Sequence, residues 1–289
     1  MRRPGTGAIA RAAPRVRTAA CLLGLAASLG VLLYLNAADL SSQWEAQRDI
    51  ERMQQAYADA DEGVRGECLR QARLYNRALA GERVDATLLP YRKQLFYQEE
   101  PMMSFIEIPA ISVRLPVYHG TAENALMAGV GHWEGSSLPV GGVGTRCVLM
   151  GHSGMRDTRM LDDLHKLVPG DRIVLHTLND PYCYEVLAAQ VVKPDELEKA
   201  IAPVPGRDLL TLVTCTPAGV NSHRLVVDAQ RCAYDEETRP GVGIGAYVND
   251  RTLPLAVAAA FALALAASGA IRRAASAHWE HRKKGTSYA

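Results

Sequence analysis

The chain has 289 residues, of which 48% are hydrophobic, and its formal net charge at pH 7 is +1. This length suits one domain of ordinary size together with membrane segments, and the balanced charge gives no reason to predict a nucleic-acid partner. The positions of the charges along the chain are more informative than their sum.

The first 38 residues combine a basic stretch with an uncharged one. Residues 1–18 contain five arginines and no acidic residue, and residues 19–38 contain no charged residue at all. A helix of that length can cross a hydrocarbon core of about 30 Å. We therefore predict a transmembrane helix at 19–38, preceded by a cytoplasmic N-terminus. A cleaved signal peptide is the alternative, but its apolar region is usually only about 7–15 residues long.

A second uncharged stretch occurs at residues 253–271, and a basic tail follows it at 272–289. This pattern predicts a second transmembrane helix, although a buried core helix would have a similar composition. The basic flanks of both spans point to the cytoplasm. The chain is therefore predicted to be a two-span protein of the cell membrane, with both termini cytoplasmic and the intervening region extracellular. Residues 236–252 are rich in glycine and charge and are predicted to be a linker.

Two helices are predicted over residues 39–81, after the first span. Ser42 and Glu45 fit a capping box at the start of the first helix. Apolar residues then recur at helical spacing: Ile50, Met53 and Tyr57 in the first helix, and Val64, Cys68, Ala72, Tyr75 and Leu79 in the second. We interpret these helices as a stalk or a packing layer. Residues 82–100 show no clear periodicity and are a candidate lid segment.

Short β-branched runs separated by Gly, Pro and Asn characterise residues 101–235. The seven predicted strands are 104–108, 112–118, 146–150, 172–178, 182–192, 209–215 and 225–231. Strands at this density suggest a closed barrel or a sandwich. Two short helical insertions are predicted, at 122–128 and 158–166.

Six cysteines are present, and five of them lie in the region predicted to be extracellular. Thiols tend to pair in oxidising compartments. An odd number leaves at least one unpaired, and Cys215 is the natural candidate, while Cys147, Cys183 and Cys232 are predicted to be buried small hydrophobic residues. No Cys or His spacing typical of zinc sites occurs, so no metal site is predicted.

The stretch from Thr211 to Leu225 has the most distinctive chemistry. An apolar strand ends on Cys215, a loop with proline and glycine follows, and Arg224 opens the next apolar run. A cysteine nucleophile needs a nearby positive charge or base to stabilise or generate its thiolate. A buried structural cysteine beside a surface arginine is the alternative.

Histidine is the side chain best suited to exchange protons near neutral pH. His152 directly follows an apolar strand and lies between two glycines, which predicts an exposed position at a strand end. His119 and His132 also follow apolar runs and remain candidates. The other histidines have less suggestive settings: His165 and His176 in surface or core positions, His223 as a bystander on the opposite strand face, and His278 and His281 in the basic tail.

Three motifs give the chain a specific resemblance. Thr211–Cys215 matches the TLxTC signature of the sortases, cysteine transpeptidases of Gram-positive cell surfaces. Arg224 falls where that family has its catalytic arginine, and Gly151–Gly154 resembles its catalytic histidine loop. The segments FIEIPAISVRLPVYHGT and GVGHWEGSSLPVGGVGT are similar to class C, the pilin-polymerising branch. The resemblance covers roughly residues 74–234.

This resemblance implies a mainly β fold: a closed sortase-like barrel of about eight strands with short helices, a two-helix N-terminal extension and a transmembrane helix at each end. It implies that Cys215 is the nucleophile, His152 the general acid and base, and Arg224 the residue that stabilises the oxyanion. Thr214 is a candidate substrate contact. By resemblance the donor is an LPxTG-like sorting signal and the acceptor a pilin lysine, with no cofactor.

The candidate lid segment departs from the class C pattern. Class C sortases usually carry an Asp-Pro-aromatic motif that occupies the active site, and residues 82–100 contain none: Asp85 is not followed by proline, and Pro90 is not preceded by aspartate. Either the lid is shortened, with Tyr91, Phe96 or Tyr97 as substitute plugs, or there is no autoinhibitory lid.

Two other functions remain open. A cell-wall-anchoring sortase would use the same three residues and a peptidoglycan amine as acceptor. A non-catalytic, membrane-tethered scaffold would only bind pilin subunits, and Cys215 would then not differ in reactivity from the other cysteines.

Overall fold

The computed structural model describes residues 22, 26, 30, 43–97, 101–155, 160–235 and 262. The segment Asp39–Gly243 is one compact unit of the chain. The predicted spans at 19–38 and 253–271, like the predicted linker and basic tails, fall outside the described residues except for those isolated positions. Within the described part of the chain, no helix combines the length and the apolar character that a membrane crossing requires.

Eight strands form a closed β-barrel. The strands are β1 (Met102–Ile108), β2 (Val113–His119), β3 (Val130–His132), β4 (Arg146–Met150), β5 (Arg172–Thr177), β6 (Asp180–Val192), β7 (Leu209–Thr216) and β8 (His223–Arg231). Their order around the barrel is β1-β2-β3-β4-β7-β8-β6-β5. The β2–β3 and β4–β7 pairs are parallel, and the other six pairs are antiparallel. The prediction of a mainly β, closed barrel is therefore confirmed.

The helices are short or lie before the barrel. They are α1 (residues 43–58), α2 (Glu62–Leu79), α3 (Glu123–Ala128) and α4 (Leu197–Ala200). Single 3₁₀ turns occur at Tyr91–Lys93, Pro109–Ile111, Asp162–Lys166 and Pro194–Glu196. The insertion predicted at 158–166 is thus a 3₁₀ turn over its last five residues.

Strand β7 is covered on both faces, which explains why its sequence contains no charged residue and does not alternate strictly between apolar and polar residues. Leu210 and Leu212 point into the main barrel core, and Val213 packs in a second cluster outside the barrel with residues of α4 and β8. Burial ends at the last two residues, Cys215 and Thr216, which are half-buried. The strand therefore carries its cysteine from a rigid, buried element to the protein surface.

Helix α1 packs on the barrel through the three residues whose spacing predicted it. Ile50, Met53 and Tyr57 are at most 1% exposed, and the Tyr57 hydroxyl donates a hydrogen bond of 3.2 Å to the carbonyl of Leu95. In the barrel's β5–β6 turn, the Asn179 side chain donates to the carbonyl of Gln54 at 3.0 Å. Of the two sequence-based interpretations, these contacts fit a packing layer better than a free stalk.

Helix α2 buries the middle of the predicted face but not its ends. Ala72, at the centre of that face, is fully buried in the barrel core, whereas Val64 and Leu79, at its two ends, are 43% and 44% exposed. The buried residues include Asn76, whose amide donates to the carbonyl of Leu138 at 3.1 Å and accepts from the Leu138 N–H at 2.7 Å. A polar side chain is buried here because it satisfies both backbone groups of a residue that lies outside the strands.

Candidate active site

Cys215 and Arg224 lie opposite each other on neighbouring strands. They are direct partners in the antiparallel β7–β8 register, so their side chains project from the same face. The Nη1 atom of Arg224 donates to the carbonyls of Asn221 and His223, each at 3.1 Å. These acceptors belong to the β7–β8 turn and to the start of β8. The turn therefore both brings the thiol and the guanidinium together and orients the guanidinium.

His152 follows β4 at the same end of the barrel. Met150 pairs with Val213 in the parallel β4–β7 register, and the Gly151 N–H donates to the Val213 carbonyl at 3.1 Å. His152 is the next residue, and there the chain leaves the sheet. Cys215 lies two residues beyond Val213, so the parallel pairing brings the histidine loop beside the end of the cysteine strand.

Two hydroxyl groups tie the His152 loop to the end of β7. Thr214 Oγ1 donates to the carbonyl of Gly151 at 2.8 Å, and Ser153 Oγ donates to the carbonyl of Cys215 at 2.6 Å. On one side these bonds involve the residues before and after His152. On the other side they involve Thr214 and the backbone of Cys215 itself. The relative position of the two side chains is therefore fixed by their neighbours, which is how an enzyme preorganises reacting groups.

The side chain of His152 is 27% exposed, but its Nε2 atom is not at the surface. It is buried and has no hydrogen-bond partner among the residues that the structure describes. The carboxylate of Glu123, on α3, lies 3.6 Å away, which is beyond hydrogen-bond length. Because Glu123 is 75% exposed, its attraction for a protonated His152 is weakened by solvent.

Thr214→Val is expected to lower the free energy of unfolding by about 1–2 kcal/mol, because the buried carbonyl of Gly151 loses its donor. It should also lower kcat, since Gly151 precedes His152 and the lost bond helps to position the histidine loop.

Thr177→Val is the matched control, because the Thr177 hydroxyl donates to the Pro139 carbonyl at 2.6 Å, away from this site. Urea unfolding and steady-state kinetics would compare the two variants. An equal loss of kcat in both would contradict the positioning role of Thr214, and a raised KM alone would support the predicted substrate contact instead.

Gly154 allows the histidine loop to approach the β7–β8 turn closely. Its φ is +74°, and a Cβ at this position would lie 2.8 Å from the Gly219 nitrogen and 3.0 Å from the Ala218 Cβ. A larger residue would therefore be strained in its backbone and would also clash. The second glycine of the motif is required by this contact between the histidine loop and the β7–β8 turn.

His132 is unsuited to proton transfer because both of its ring nitrogens are engaged inside the protein. Its Nε2 lies 2.9 Å from the Ser137 carbonyl, which fixes the proton there, and its Nδ1 lies 2.9 Å from the Tyr91 hydroxyl. Burial lowers the pKa of His132 to about 4. The neutral imidazole is a structural hydrogen-bonding group.

His119 is held in a similar way. Its Nε2 lies 2.7 Å from the carbonyl of Gln94, and burial lowers its pKa. Among the three histidines that follow apolar runs, His152 thus has the ring nitrogen best placed to act on a substrate.

The stability of the protein is expected to fall on acidification through His132. The unfolded chain, whose histidine has a pKa of 6.5, binds more protons between that pH and about 4 than the folded chain does. Because of this difference in proton binding, the free energy of unfolding falls by roughly 3 kcal/mol as the pH falls through that interval. Urea unfolding at pH 7 and pH 4.5 would test it with His132→Asn, which should be less stable at pH 7 but less sensitive to pH. An unchanged pH dependence in the variant would contradict this role of His132.

The remaining histidines lie in ordinary settings. His176 is buried, lies 3.1 Å from Glu107 and stacks on Phe105. His165 is exposed, and His223 is half-buried beside Ser222. His278 and His281 lie outside the described residues. Within the described ranges, no group of three or more His, Cys, Asp or Glu side chains is arranged to hold a metal ion.

The described part of the candidate lid segment, residues 82–97, is anchored by Tyr91. The Tyr91 hydroxyl binds His132 Nδ1 and accepts from the Gly120 N–H, both at 2.9 Å. Tyr97 stacks on Tyr57 of α1 at 5.5 Å between ring centroids. These contacts join the segment to the helices and to the ends of β2 and β3, and two of the three proposed plug residues, Tyr91 and Tyr97, are engaged in them.

Tyr91→Phe is expected to lower the free energy of unfolding by roughly 1–3 kcal/mol, because two buried polar partners lose their hydrogen bonds. The rate at which a soluble thiol reagent labels Cys215 should stay unchanged, since the hydrogen bonds of Tyr91 are to His132 and Gly120, which lie away from β7 and β8. Faster labelling in Tyr91→Phe than in the wild type would show that the segment covers the site and would overturn this interpretation.

The sequence analysis missed two contributors to the site, Ser153 and Glu123. Ser153 adjoins His152 in the motif Gly151–Gly154, but its partner is a backbone carbonyl on a strand 62 residues away. Glu123 reaches the site because α3 lies in the crossover between β2 and β3. Neither contact is encoded in local spacing, so no signal in the sequence alone identified them.

A family model described as Sortase domain matches residues 106–232. The matched stretch contains His152, Thr214, Cys215 and Arg224.

Solved structures of similar proteins share the fold. Sortase C1 from Streptococcus agalactiae is 38% identical with a TM-score of 0.61, over 65% of this chain and 100% of that one. Sortase C1 of GBS Pilus Island 1 is 33% identical with a TM-score of 0.60, over 66% and 100%. A lid mutant of sortase A from Corynebacterium diphtheriae is 40% identical with a TM-score of 0.57, over 62% and 98%.

Curated relatives match over a shorter stretch. Sortase A of Bacillus anthracis is 33% identical over 122 residues, which is 42% of this chain and 56% of the relative. Sortase D of Bacillus subtilis is 33% identical over 114 residues, which is 39% of this chain and 53% of the relative. The chain thus spans about half the length of these two relatives.

Proposed function

Because the chain belongs to the sortase family, in its class C branch, we propose that it is a cysteine transpeptidase. In this proposal Cys215 is the nucleophile, His152 the general acid and base, and Arg224 the oxyanion-stabilising group. The observation that carries the proposal is the convergence of two loops: Cys215 and Arg224 are cross-strand partners, and hydrogen bonds join the His152 loop to the end of the cysteine strand.

The first half-reaction forms a thioester. The Cys215 thiolate attacks the carbonyl carbon of the scissile peptide bond, and a sulfur–carbon bond forms as negative charge develops on the carbonyl oxygen. Collapse of this intermediate breaks the carbon–nitrogen bond, and His152 gives its proton to the departing amine. The products are an acyl-enzyme and the released C-terminal fragment.

The second half-reaction reverses these roles. An acceptor amine attacks the thioester carbonyl, and His152, now neutral, removes the proton that the amine must lose. The carbon–sulfur bond breaks and the thiolate of Cys215 is regenerated. The Nε2 atom of His152 makes no hydrogen bond among the described residues, which supports this shuttle because no protein group there competes for the proton that it carries.

Arg224 is suited to the charge that develops in both steps. A guanidinium remains protonated and offers several donors in a rigid fork. Its Nη1 atom is held by two carbonyl groups of the neighbouring backbone, so its orientation is set before the substrate arrives. Such preorganised donors stabilise a developing oxyanion without reorganisation.

The donor substrate is proposed to be an LPxTG-like sorting signal, cut after its threonine, and the acceptor a lysine amine on a pilin subunit. The likeness to sortase C1 of GBS Pilus Island 1 supports a pilin acceptor. The two uncharged segments at 19–38 and 253–271 support a membrane-anchored enzyme whose catalytic domain is extracellular. A cell-wall anchoring reaction differs only in the acceptor, a peptidoglycan amine.

An acceptor competition would test the proposal. The full-length chain would be incubated with an LPxTG-type peptide, a lysine-containing pilin peptide and a peptidoglycan stem peptide, and products identified by mass spectrometry. We expect the donor to be cleaved after threonine and joined to the pilin lysine. Product on the stem peptide alone would favour cell-wall anchoring. Absence of both products, with Cys215 confirmed as a free thiol, would favour the non-catalytic scaffold.

A further inference from the structure

Two cysteines outside the proposed active site face each other across a strand pair. The sulfur atoms of Cys183, in β6, and Cys232, directly after β8, are 2.8 Å apart. Both are present as thiols. From the sequence, both residues were predicted to be buried small hydrophobic side chains; they lie 49 residues apart in the chain.

The backbone geometry around this pair suits a covalent bond. Tyr184 pairs with Arg231 in the antiparallel β6–β8 register, and the next step places Cys183 opposite Cys232, whose N–H donates to the Cys183 carbonyl at 2.9 Å. Cα atoms of directly opposed antiparallel residues are about 4.5–5.5 Å apart, within the range of about 4.4–6.8 Å that disulfides require. A bonded sulfur pair is about 2.05 Å apart, so less than about 1 Å of movement closes the bond.

We propose that Cys183 and Cys232 are a modification site at which a structural disulfide forms between β6 and the end of β8. The oxidant is the disulfide of an exported thiol–disulfide oxidoreductase, a class of protein that acts in the extracellular compartment assumed in the proposed function. One thiolate attacks that disulfide and gives a mixed disulfide, and the second cysteine displaces the carrier. Two electrons and two protons leave the cysteine pair, and the carrier is reduced to a dithiol.

The two sulfurs differ in access. Cys183 is 1% exposed, whereas Cys232 is half-buried. Burial, assisted by the contact with Cys232, raises the pKa of Cys183 to about 12. Because the thiolate is the reacting form in disulfide exchange, Cys232 is the sulfur that attacks the carrier, and Cys183 closes the bond in the second step.

The bond would close a loop that contains most of the proposed catalytic machinery. Strands β7 and β8 both lie between residues 183 and 232, so Cys215 and Arg224 are inside the loop. Cys232 is also where the chain leaves the barrel towards the C-terminal uncharged segment. The disulfide would therefore hold the end of the final strand in register with β6.

With Cys183 and Cys232 paired, three of the five described cysteines remain outside the bond. Cys147 is buried in the barrel core, Cys68 lies on α2 and packs against that core, and Cys215 lies at the other end of β7 from the pair. A single disulfide at 183–232 leaves Cys215 as a free thiol, as the proposed chemistry needs.

Thiol mapping of the full-length protein tests this proposal directly. The wild-type protein would be equilibrated with oxidised glutathione, its free thiols alkylated, and its peptides analysed by mass spectrometry. We expect one linked peptide pair containing Cys183 and Cys232, with Cys215 recovered separately. The oxidised protein should have a Tm roughly 5–10 °C above that of the reduced protein. Cys183→Ser and Cys232→Ser should lose this difference, and Cys68→Ser should keep it.

Recovery of Cys183 and Cys232 as alkylated thiols, or as two separate glutathione adducts, would overturn the proposal. Because the thiols are mapped on the wild-type protein, this result does not depend on whether the serine variants fold. The result also does not depend on transfer activity, because the disulfide and the peptide-transfer product are measured in separate experiments. A protein that forms the disulfide but transfers no peptide would refute the proposed function alone.

Discussion

Cys215→Ala is expected to abolish peptide transfer, with a loss in kcat of roughly 10⁴-fold or more. The alanine side chain cannot form the thioester, so the reaction would have to proceed by direct attack of the acceptor amine on an unactivated peptide bond. The measurement is the rate of product formation from an LPxTG-type peptide and a lysine acceptor, followed by chromatography.

Cys68→Ala serves as the control for this variant. Cys68 is a half-buried cysteine on α2, and burial raises its pKa, so its removal should leave the rate unchanged. A Cys215→Ala protein that retains transfer activity, or an equal loss in Cys68→Ala, would contradict the role of Cys215 as the sole nucleophile.

His152→Ala is expected to lower kcat by roughly 10²–10⁴-fold, the usual contribution of a general acid and base. The proton that His152 gives to the departing amine and later takes from the incoming one would have to come from water. Added imidazole should restore part of the lost rate, because a small base can occupy the space of the missing side chain. Stopped assays over a range of imidazole concentrations would measure this rescue.

His165→Ala is the matched control for the His152 variant. His165 is an exposed histidine whose Nδ1 lies 2.9 Å from the backbone carbonyl of Asp162, in the turn that follows the His152 loop. Its removal should leave kcat unchanged. Full activity in His152→Ala would contradict the role of His152 as general acid and base. His119 and His132 are both held in internal hydrogen bonds and do not offer a replacement.

The strands that build the site were predictable because their sequences carry strong local signals. Strand β7 is rich in leucine and β-branched residues, and the proline and glycine after Cys215 mark the turn that leads to Arg224. An antiparallel hairpin with that spacing places the two residues opposite each other, and the register confirms this arrangement. Local sequence thus predicted the hairpin, and the structure adds that Cys215 and Arg224 are direct cross-strand partners within it.

Strand β3 could not be predicted in the same way. It has only three residues, Val130–His132, which is too short for an alternating pattern to show. Its existence depends on parallel pairing with β2 and antiparallel pairing with β4. The strand is formed by its neighbours more than by its own composition.

The contacts that fix the site depend on pairing between distant segments. Thr214 and Gly151 meet only because β4 and β7 are adjacent and parallel, although 63 residues separate them. The pair of Cys183 and Cys232 likewise follows from the β6–β8 register. The same holds for Asn76, whose side chain meets the backbone of Leu138, 62 residues away. Chain topology, which a single sequence does not fix, determines all three contacts.

The most direct test of the account is the mass of the acyl-enzyme. The full-length protein would be mixed with an LPxTG-type peptide in the absence of an acceptor amine, quenched in acid, digested and mapped by tandem mass spectrometry. We expect the peptide fragment ending in threonine to be attached to Cys215, and hydroxylamine, which cleaves thioesters, to release it. An adduct on another cysteine, or no adduct while Cys215 reacts freely with a thiol reagent, would contradict this expectation.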